Sequence, residues 1–530
     1  MMTRQNEMLP DQASTFIAQI EFAFSRYGDR VAFIEDDGQR MTYAAAYDRI
    51  RRLIPVLAEL GVGKGSGVAC LAANSSAMYL AELAVAALGG RYAGLHPLSS
   101  AEEHAAMCDD GDISLLLIDP KFRDHASAVF THMKTAPALG SLGPSSDAVD
   151  VLAKAERAVR VPTVVGASSA MQDDLLRIFY TGGTTGRSKG VEFTHRAIAH
   201  MNLNAARAWQ MPQVPRYLAT GPITHGSFLM LMPTLLAGGC IIFHKGFQAD
   251  RWLRAVEAEK VNFAFVVPTM IYSALDSKVL SEVDLSSLET VAYGGSPMSP
   301  SRLAEGIERF GQVFTQFYGQ SECLGQGTSL WREEHDPERL PHLLQSCGRP
   351  MPGVTVDVVD ENDKPVPVGQ AGEVVIRSAM TMRGYWKQPE LTAETLRNGW
   401  LHTGDIARRD EEGYFYIVDR KKDMIISGGF NVFPKEIEDV LTSHPAVALA
   451  SVIGIPHERW GEQVTAVVVA RPGANITEAE LQALVKQKKG AHYAPKSVIF
   501  ADDLPRTAVG KVDKQKLRRA YWTDSDRNVN

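Results

Sequence analysis

Two kinds of apolar run alternate along the first part of the chain, and their order limits the folds that it can adopt. Residues 68–72 (VACLA) and 114–118 (SLLLI) have the length and composition of buried strands, whereas residues 78–88 between them have the length of a helix. A strand, a helix and another strand in this order are typical of a parallel sheet covered by helices. The sequence therefore predicts an α/β fold built from parallel layers.

The pattern of apolar and polar residues changes after about residue 350. Residues 354–378 alternate apolar and polar side chains and contain turn residues, which indicates antiparallel hairpins. Strand and helix patterns follow Arg420 and end in the basic segment 511–519. Because 530 residues exceed what one hydrophobic core usually supports, we expect two domains. Residues 1–421 combine α/β layers with a β-rich subdomain, and residues 422–530 form a small α+β domain.

One segment without charges is long enough to be compared with a membrane span. Residues 226–243 read GSFLMLMPTLLAGGCIIF, which by length could just cross a bilayer. Pro233 and the pair Gly238 and Gly239 interrupt it, so a buried helix to Ala237 and a buried strand at residues 240–243 are expected instead. No transmembrane segment is predicted.

Three further segments carry local predictions. Residues 261–267 form a strand pattern that ends at Pro268, and residues 290–293 form another that ends at a pair of glycines. Residues 135–174 are poorer in apolar runs and begin with clustered Gly, Ser and Pro. Much of this last stretch is therefore expected to be a variable surface excursion.

The charge balance and the cysteines argue against several classes of protein. The chain has 55 Lys and Arg against 62 Asp and Glu, a net charge of −7, which disfavours a nucleic-acid binder with a basic face. Its five cysteines contain no Cys-x-x-Cys pair, so a zinc site is not expected. So small a number of cysteines in a long chain is consistent with thiols that stay reduced. Residues 1–19 lack the apolar core of a signal peptide. We expect a cytoplasmic protein.

A loop rich in glycine and threonine follows the apolar run 175–179. It reads YTGGTTGRSKG at residues 180–190. Its glycines let backbone N–H groups approach an anion, its threonines add hydroxyl donors, and Lys189 adds a positive charge. The spacing does not match a Walker A loop. These groups are what binding of a triphosphate requires, but a glycine-rich turn alone is weak evidence, and the other motifs decide.

Five motifs, in order along nearly the whole chain, resemble those of the adenylate-forming superfamily of acyl- and aryl-CoA synthetases, luciferases and peptide-synthetase adenylation domains. Residues 180–190 resemble the phosphate loop of this family, with Thr181 and Gly182 where two serines are common. The other motifs are YGQSE at 318–322, GWLHTGD at 399–405, DRKKDMIISGGFNVFPKEIE at 419–438 and PRTAVGK at 505–511. The chain resembles the carboxylic acid–CoA ligases in particular, among them the feruloyl-CoA synthetases.

The resemblance implies an ATP site assembled from several motifs. Glu322 corresponds to the magnesium ligand of the family, Asp405 to the acceptor of hydrogen bonds from the ribose hydroxyls, and Arg420 to a second ribose contact. Tyr318 is expected to stack on the adenine. The full expected ATP-binding set is Thr181, Gly182, Gly183, Thr184, Thr185, Lys189, Gly294, Gly295, Ser296, Gln316, Phe317, Tyr318, Gly319, Ser321, Asp405, Arg420 and Lys511.

The resemblance also implies the groups that act on the acid. Lys511 corresponds to the family's catalytic lysine, whose compact charge suits a developing phosphorane. His225, in GPITHG, corresponds to a histidine that contacts the carboxylate or phosphate. The expected catalytic set is Lys511, His225, Thr184 and Glu322, and the expected acyl pocket is His225, Gly226, Ser227, Phe228, Tyr293 and Gly294.

A second half-reaction requires a path for coenzyme A. Gly428 and Gly429, with Asn431, resemble the CoA-tunnel positions of the family, where side chains would block a thiol. Lys422 occupies the position of the family's hinge. The resemblance therefore implies a mobile C-terminal domain that rotates between the two half-reactions.

The resulting expectation is an ATP-dependent carboxylic acid–CoA ligase that forms an acyl-AMP and then an acyl-CoA, and releases AMP and pyrophosphate. Its partners would be a small acid, ATP, Mg²⁺ and CoA, without nucleic acid, and the protein would be a monomer or homodimer. Small Gly226 and Ser227 beside bulky Phe228 and Tyr293 favour a flat aromatic acid of the cinnamate, ferulate or benzoate type. A medium- or long-chain fatty acid is the alternative.

Three other functions remain to be weighed. An adenylation domain that loads a carrier protein is disfavoured because no carrier motif follows Lys511. A luciferase-like oxygenase is not required by any motif. A nucleotide-binding protein without catalysis is disfavoured because Glu322, Asp405 and Lys511 are all present.

Overall fold

Four β-sheets and the helices around them make up the described part of the chain. The structure, a computed structural model, describes residues 15–159, 161–165, 170–181, 188–420, 423–427, 430–457, 460–507 and 512–521.

The strands are numbered in chain order. They are β1 (Val31–Ile34), β2 (Arg40–Thr42), β3 (Gly67–Leu71), β4 (Arg91–Leu95), β5 (Ile113–Ile118), β6 (Ala138–Ser141), β7 (Val149–Asp150), β8 (Leu175–Thr181), β9 (Lys189–Thr194), β10 (Arg216–Ala219), β11 (Cys240–Phe243), β12 (Phe263–Val266), β13 (Thr290–Gly294), β14 (Phe314–Tyr318), β15 (Thr328–Leu330), β16 (Arg349–Pro350), β17 (Val354–Val359), β18 (Gly372–Ser378), β19 (Gly384–Tyr385), β20 (Leu396–Arg397), β21 (Trp400–Arg409), β22 (Phe415–Arg420), β23 (Ile425–Ser427), β24 (Phe430–Val432), β25 (Val447–His457), β26 (Gly461–Ala470) and β27 (Ser497–Phe500).

The α-helices are numbered in the same way. They are α1 (Phe16–Arg26), α2 (Tyr43–Glu59), α3 (Ser76–Ala87), α4 (Ala101–Asp110), α5 (Arg123–His132), α6 (Val151–Glu156), α7 (His195–Ala208), α8 (Phe228–Leu236), α9 (Ala249–Ala258), α10 (Pro268–Leu275), α11 (Pro300–Phe310), α12 (Pro389–Thr395), α13 (Pro434–Thr442), α14 (Glu478–Lys489) and α15 (Lys514–Arg519). Short 3₁₀ helices lie at Pro120–Phe122, Lys278–Ser281, Ser321–Cys323, Arg332–Glu334 and Pro341–Gln345.

Two large, mostly parallel sheets carry the first part of the chain. One has the strand order β16-β15-β14-β13-β12-β10-β11-β1-β2, and the other has the order β19-β9-β8-β4-β3-β5-β6-β7. Antiparallel pairs occur only toward their edges among the described pairings, as between β8 and β9 and between β14 and β15. The carboxyl ends of neighbouring parallel strands meet at one edge of each sheet, where ligand sites form in α/β proteins.

The largest hydrophobic core joins both of these sheets through α3 and α8. Both helices are apolar and buried along nearly their whole length, as expected for helices covered on more than one side. The Ser75 hydroxyl caps α3 by accepting a hydrogen bond from the Met78 N–H at 3.3 Å, a common way to satisfy an orphan helix donor. These two helices bring the His225 loop, which precedes α8, close to the second sheet.

Most local predictions are confirmed. The predicted strands and helices at residues 68–88, 114–118, 226–243, 261–267 and 290–293 appear as β3, α3, β5, α8, β11, β12 and β13, within a few residues. Residues 354–378 form the antiparallel pair β17 and β18, as expected. β18 also pairs with β21, and β20 and β22 complete this third sheet.

The prediction of a surface excursion at residues 135–174 is wrong in part. β6 pairs with β5 and β7 pairs with β6, so both extend the second sheet, and α6 packs against α2. The strands were overlooked because they are short, at four and two residues, and have few apolar side chains. Edge strands bury only part of their surface, so their sequence pattern is weak.

A separate hydrophobic core occupies the last part of the chain. Its fully buried side chains include Ile425, Ile437, Val452, Val468 and Leu481. The fourth sheet has the order β24-β23-β26-β25, with β27 beside β26, and α13 and α14 pack against one another. This core lies within the C-terminal segment that the sequence predicts to be a second domain.

None of the helices among the described residues is long and apolar enough to cross a membrane. The five cysteines are free and buried.

Candidate active site

Several predicted site residues lie outside the described residues. They are Gly182, Gly183, Thr184, Thr185, Lys422, Gly428, Gly429 and Lys511, and for Asn431 only the backbone, in β24, is described. The remaining predicted residues come from β8, β9, β13, β14, β21, β22, α8 and the segments that follow β10, β13 and β14.

The two ends of the phosphate loop are held together by an antiparallel pair. Thr181 at the end of β8 faces Lys189 at the start of β9, and Tyr180 faces Gly190. A Cβ atom on Gly190 would lie 2.8 Å from the Ile178 Cγ2 atom, so only glycine fits there without rearrangement. The pairing fixes where the loop leaves and re-enters the sheet.

Glu322 and Lys189 are brought to the same place by β19. This strand pairs with β9 and carries Tyr385. The Tyr385 hydroxyl donates to Glu322 Oε1 at 2.7 Å, and Lys189 Nζ lies 5.5 Å from the centre of the Tyr385 ring. Burial, and then the charge of Glu322, raise the pKa of Tyr385 above its usual value, so its hydroxyl remains a donor. Tyr385 thus has the Glu322 carboxylate at its hydroxyl group and the Lys189 ammonium near its ring.

A cluster around Asp405 forms a second polar centre. Asp405 is 4% exposed, and its Oδ2 atom accepts hydrogen bonds from the Tyr318 hydroxyl and from Gln320 Nε2, both at 2.8 Å. Arg420 Nε lies 3.3 Å from Oδ1 because β21 and β22 place Asp405 opposite Arg420. A carboxylate has about four lone-pair positions, so three partners leave acceptor capacity for a ligand hydroxyl.

The expected role of Tyr318 needs qualification on this geometry. Its hydroxyl is hydrogen-bonded to Asp405, and burial and Asp405 raise its pKa well above the usual value. Tyr318 therefore orients the carboxylate, whatever its ring contacts.

A tight bend at the end of β13 lies beside this cluster. A Cβ atom on Gly294 would lie 2.6 Å from the Phe317 carbonyl oxygen, and Gly295 has φ +81°. Both positions therefore require glycine. Ser296 follows and is half-buried, so a flat group can approach this backbone closely.

Hydrogen bonds of the Asn74 side chain hold the His225 loop in place. The Asn74 side chain donates to the carbonyl oxygens of Gly221 at 2.8 Å and His244 at 3.0 Å, and accepts from the Ile223 N–H at 3.0 Å. The Thr224 hydroxyl lies 2.9 Å from His225 Nδ1. Asn74 thus positions the loop, and Thr224 orients the imidazole.

A fully buried ion pair supports the same loop. Arg177, on β8, pairs with Glu82 of α3, and their side chains are 1% and 4% exposed. Arg177 Nη2 donates to the Thr224 carbonyl oxygen at 3.2 Å, and its guanidinium carbon lies 3.9 Å from the centre of the Phe228 ring. Burial raises the pKa of Glu82, while Arg177 opposes this shift. Arg177 therefore links β8, the strand before the phosphate loop, to the acyl segment, residues 225–228, which begins the predicted acyl pocket.

The predicted acyl-pocket residues fall into two groups. A Cβ atom on Gly226 would lie 2.7 Å from Phe265 Cε1, and Phe265 packs against Phe317 with ring centres 5.3 Å apart. Gly226, Ser227 and Phe228 thus begin an aromatic environment. The structure does not bring Tyr293 to it, because Tyr293 packs on the other face of the sheet and its hydroxyl lies 3.0 Å from His335 Nε2.

A charged cluster joins the end of β22 to α13 and α15. Lys514 Nζ lies 2.7 Å from Glu438 Oε1, and Arg518 pairs with Asp423 at 2.8 Å. Burial raises the pKa of Asp419 to about 6, against the opposing charge of Lys514. α15 begins three residues after Lys511, so this cluster anchors the segment that follows the predicted catalytic lysine.

Sequence reasoning missed five residues that shape the site: Asn74, Glu82, Arg177, Gln320 and Tyr385. Glu82 and Arg177 carried a usable signal, since each is the one charge in an otherwise apolar run, α3 and β8. Such a charge must find a partner when it is buried. Asn74 and Tyr385 act through contacts with distant segments that no local pattern reveals.

Glu322 is the carboxylate best placed to hold a metal ion. Among the described residues, no group of three or more His, Cys, Asp or Glu side chains could enclose one. Mg²⁺ does not need such a group, because it commonly binds one or two carboxylates together with substrate phosphates and waters. A single half-buried carboxylate that shares its neighbour Tyr385 with Lys189 fits that mode.

Comparison with known proteins agrees with this geometry. Residues 20–386 match the AMP-binding enzyme family, and residues 436–511 match the AMP-binding enzyme C-terminal domain. The chain is 42% identical to the medium/long-chain-fatty-acid–CoA ligase FadD8 of Mycobacterium tuberculosis (94% of this chain, 88% of the relative). It is 35% identical to a feruloyl-CoA synthase of an Amycolatopsis species (94% and 97%). The crystal structure of ATP-bound MatB from Rhodopseudomonas palustris superposes with a TM-score of 0.86 at 31% identity (95% and 99%).

Proposed function

The chain belongs to the family of AMP-binding enzymes, and from this premise we propose that it is a carboxylic acid–CoA ligase. In the first half-reaction an oxygen of the acid attacks the α-phosphorus of ATP, an acyl-AMP forms and pyrophosphate leaves. In the second, the thiol of CoA loses its proton and attacks the acyl carbonyl carbon, and AMP leaves. Both relatives named above are CoA ligases or synthases, which supports this reaction.

The observation that carries the proposal is the pair of polar centres at the two ends of one turn. Residues 318–322 contribute Tyr318 and Gln320 to Asp405, and Glu322 to Tyr385, whose ring lies near Lys189 Nζ. One short segment, residues 318–322, therefore connects the acceptor for hydroxyl groups, Asp405, with the tyrosine that lies next to the ammonium for phosphates, Lys189. A nucleoside triphosphate has its ribose and phosphates in this arrangement, and the ATP-bound neighbour supports ATP as the nucleotide.

Activation of a carboxylate by ATP must overcome repulsion between anions. Lys189 reduces the charge of the phosphates, and Glu322 would hold Mg²⁺, which neutralises more of it when bound. His225, oriented by Thr224, faces the acid. Fixed groups of this kind stabilise developing charge without reorganising during the reaction.

The proposed second domain, residues 422–530, would carry the groups that alternate between the half-reactions. Lys511 would serve adenylation, and the Gly428–Gly429 face would admit the thiol, with Lys422 as the hinge. Support comes from the separate hydrophobic core of this segment and from its contact with the first domain through charged and polar groups, such as Ser301 with the Thr442 carbonyl oxygen at 3.4 Å. Polar contacts of this type separate more readily than an apolar interface.

We propose an aromatic acid, of the cinnamate, ferulate or benzoate type, as the substrate. The rings of Phe265 and Phe317 beside Gly226 favour a flat ring over a flexible chain, and the feruloyl-CoA synthase supports this choice. A medium- or long-chain fatty acid is the second candidate because the relative at 42% identity acts on such acids. Loading of a carrier protein is a third candidate. The five free thiols support the cytoplasm as location.

The test is pyrophosphate release with a panel of acids, with and without CoA, and identification of the products by mass. We expect acyl-AMP without CoA and acyl-CoA with it, and a higher kcat/KM for aromatic acids than for octanoate. Asp405→Asn provides a control, since it should lower activity with every acid. Octanoate as the far better substrate contradicts the aromatic proposal, and an adenylate that reacts only with a carrier protein contradicts the CoA ligase.

A further inference from the structure

A second histidine lies against His225. His96 follows β4 by one residue, and the His96 and His225 rings have centres 5.2 Å apart at an interplanar angle of 72°. The contact follows from the fold, because β4 and β8 are parallel neighbours whose carboxyl ends meet at the edge that carries the phosphate loop. A Cβ atom on Gly94 would lie 2.9 Å from Thr224 Cγ2, so the β4 backbone packs directly on the His225 loop.

One hydrogen bond fixes the tautomer of His96. The Leu98 N–H donates to His96 Nδ1 at 3.1 Å, so Nδ1 is an acceptor without hydrogen. His96 is 4% exposed, and burial lowers its pKa from the usual value, which favours the neutral ring. A neutral imidazole with an accepting Nδ1 carries its hydrogen on Nε2.

That Nε2 hydrogen has no acceptor within the described part of the protein. Nε2 is buried and makes no hydrogen bond to a described residue. Buried donors in folded proteins are nearly always paired, so an open one calls for a partner such as a ligand, a water or an ion. The ring that carries this open donor packs against His225, the histidine that is proposed to face the acid.

The position of His96 is rigid. Its carbonyl oxygen accepts a hydrogen bond from His104 Nε2 at 3.0 Å, and His104 Nδ1 lies 3.0 Å from His125 Nε2. Burial, and then His125, lower the pKa of His104 to about 4, so at neutral pH His104 is uncharged and donates from Nε2. The hydrogen bonds from His104 and His125 hold the backbone of His96 in place, as a preorganised donor requires.

The strand order separates the acid from the phosphates. In the order β19-β9-β8-β4, Tyr385 with Glu322 and Lys189 lies on the β9 side of β8, whereas His96 lies on the β4 side. His96 therefore belongs to the half of the site where His225 and Gly226 begin the acyl segment. This placement favours an oxygen of the acid over an oxygen of the triphosphate tail as the acceptor.

We propose that His96 is a substrate-contacting residue whose Nε2–H donates to a carboxylate oxygen of the acid, the oxygen that becomes the acyl carbonyl in the acyl-AMP. This inference rests on the proposed acid–CoA ligase function. His225 and His96 then form a pair of imidazoles around one carboxylate. Because the hydrogen bond is made to the acid before the reaction, its loss weakens the use of the acid more than the use of ATP.

The test compares His96→Met with His96→Gln. Methionine and glutamine have nearly the same length and shape, but only glutamine places an N–H near the position of Nε2. We expect His96→Met to lower kcat/KM for the acid by about 10- to 100-fold, the range for a hydrogen bond to a charged group, with KM for ATP changed less than about twofold. His96→Gln should recover most of the loss. His200→Gln, a change at an exposed histidine of α7, is the matched control and should have no effect.

Three results would overturn the inference. One is equal activity of folded His96→Met and His96→Gln, with urea midpoints that match the unmodified protein. Another is a loss confined to acids that bear a hydroxyl or methoxy group, because His96 would then contact that substituent. The third needs no variant: a crystal structure of the unmodified protein with its acid and AMP in which every acyl oxygen lies beyond 3.5 Å from His96 Nε2. Failure of the unmodified protein to form any acyl-AMP would instead refute the proposed function.

Discussion

The acyl side of the site and the hinge side of the C-terminal segment are held by ion pairs of different kinds. Arg177 and Glu82 are buried almost completely, and the Arg177 guanidinium packs against the rings of Phe179 and Phe228. The cluster of Lys514, Glu438, Asp423 and Arg518 is only partly buried, with side-chain exposures of 13% to 19%. The first pair cannot exchange partners without exposing a charge in an apolar core, whereas the second can reform with water or new partners. The proposed placement of the acid and the proposed relocation of Lys511 thus depend on ion pairs of different burial.

The largest expected effect is the loss of stability when the buried ion pair of Arg177 and Glu82 is broken. Arg177→Met leaves Glu82 charged and unpaired in the core, which should lower the free energy of unfolding by about 3–5 kcal/mol. Urea denaturation measures this. The double change Arg177→Met with Glu82→Leu should recover much of the loss, because apolar side chains of similar volume can replace a buried pair.

An exposed pair provides the control for that measurement. Arg254 and Glu282 have side-chain exposures of 59% and 55%, and such pairs contribute about 0–1 kcal/mol. If Arg177→Met lowers the free energy of unfolding no more than Arg254→Met does, burial does not explain the difference between the two regions.

The second prediction concerns the movement of the C-terminal segment. Lys511→Ala should slow adenylation by about 100-fold or more, the scale for one preorganised charge contact, and should leave thioester formation from supplied acyl-AMP nearly intact. Separate assays of the two half-reactions measure this. Lys516→Ala, at an exposed lysine of the neighbouring α15, is the control. Equal loss in both half-reactions would contradict alternation.

A smaller and graded effect is expected at the phosphate end. Glu322→Gln should lower kcat/KM for Mg·ATP by up to about 100-fold. Tyr385→Phe removes only the hydrogen bond to Glu322 and should lower it by about 2- to 10-fold, as for a single hydrogen bond. The dependence on Mg²⁺ concentration distinguishes the two, and an unchanged kcat/KM for Glu322→Gln would exclude Glu322 as the metal ligand.

The last prediction is a pH dependence of stability that arises from Asp419 at the end of β22. The pKa of Asp419 is about 6 in the folded protein and lower, near 3.8, when the chain unfolds. The folded state therefore binds the proton more tightly, so stability from this group is greatest at low pH and is lost as pH rises from about 4 through about 6. Urea midpoints across this range should show a component that Asp419→Asn removes. The same slope in both proteins would assign it to another group.

The sequence predicted most of the elements and the motif positions, because both depend on local patterns. β3, α3 and β5 are visible as apolar runs, and Glu322 and Asp405 stand within recognisable motifs. Asn74 was missed because its role arises from carbonyl groups at residues 221 and 244. Tyr293 was assigned to the acyl pocket from its place beside Gly294, although alternation along β13 puts Ala292 and Tyr293 on opposite faces. Had this alternation been considered, Tyr293 would have been left out of the predicted acyl pocket.

The late strand β19 has a consequence for synthesis of the protein. It closes the edge of β9, and its neighbour Arg383 bonds to Glu192 across 191 positions of the chain. At about 5–20 residues per second, the ribosome needs roughly 10–40 s to make that distance. During this interval β9 presents unpaired backbone groups, which attract other strands. A nascent or truncated chain that stops before residue 384 therefore has an open sheet edge, and chaperones that cover such edges would matter most at this stage.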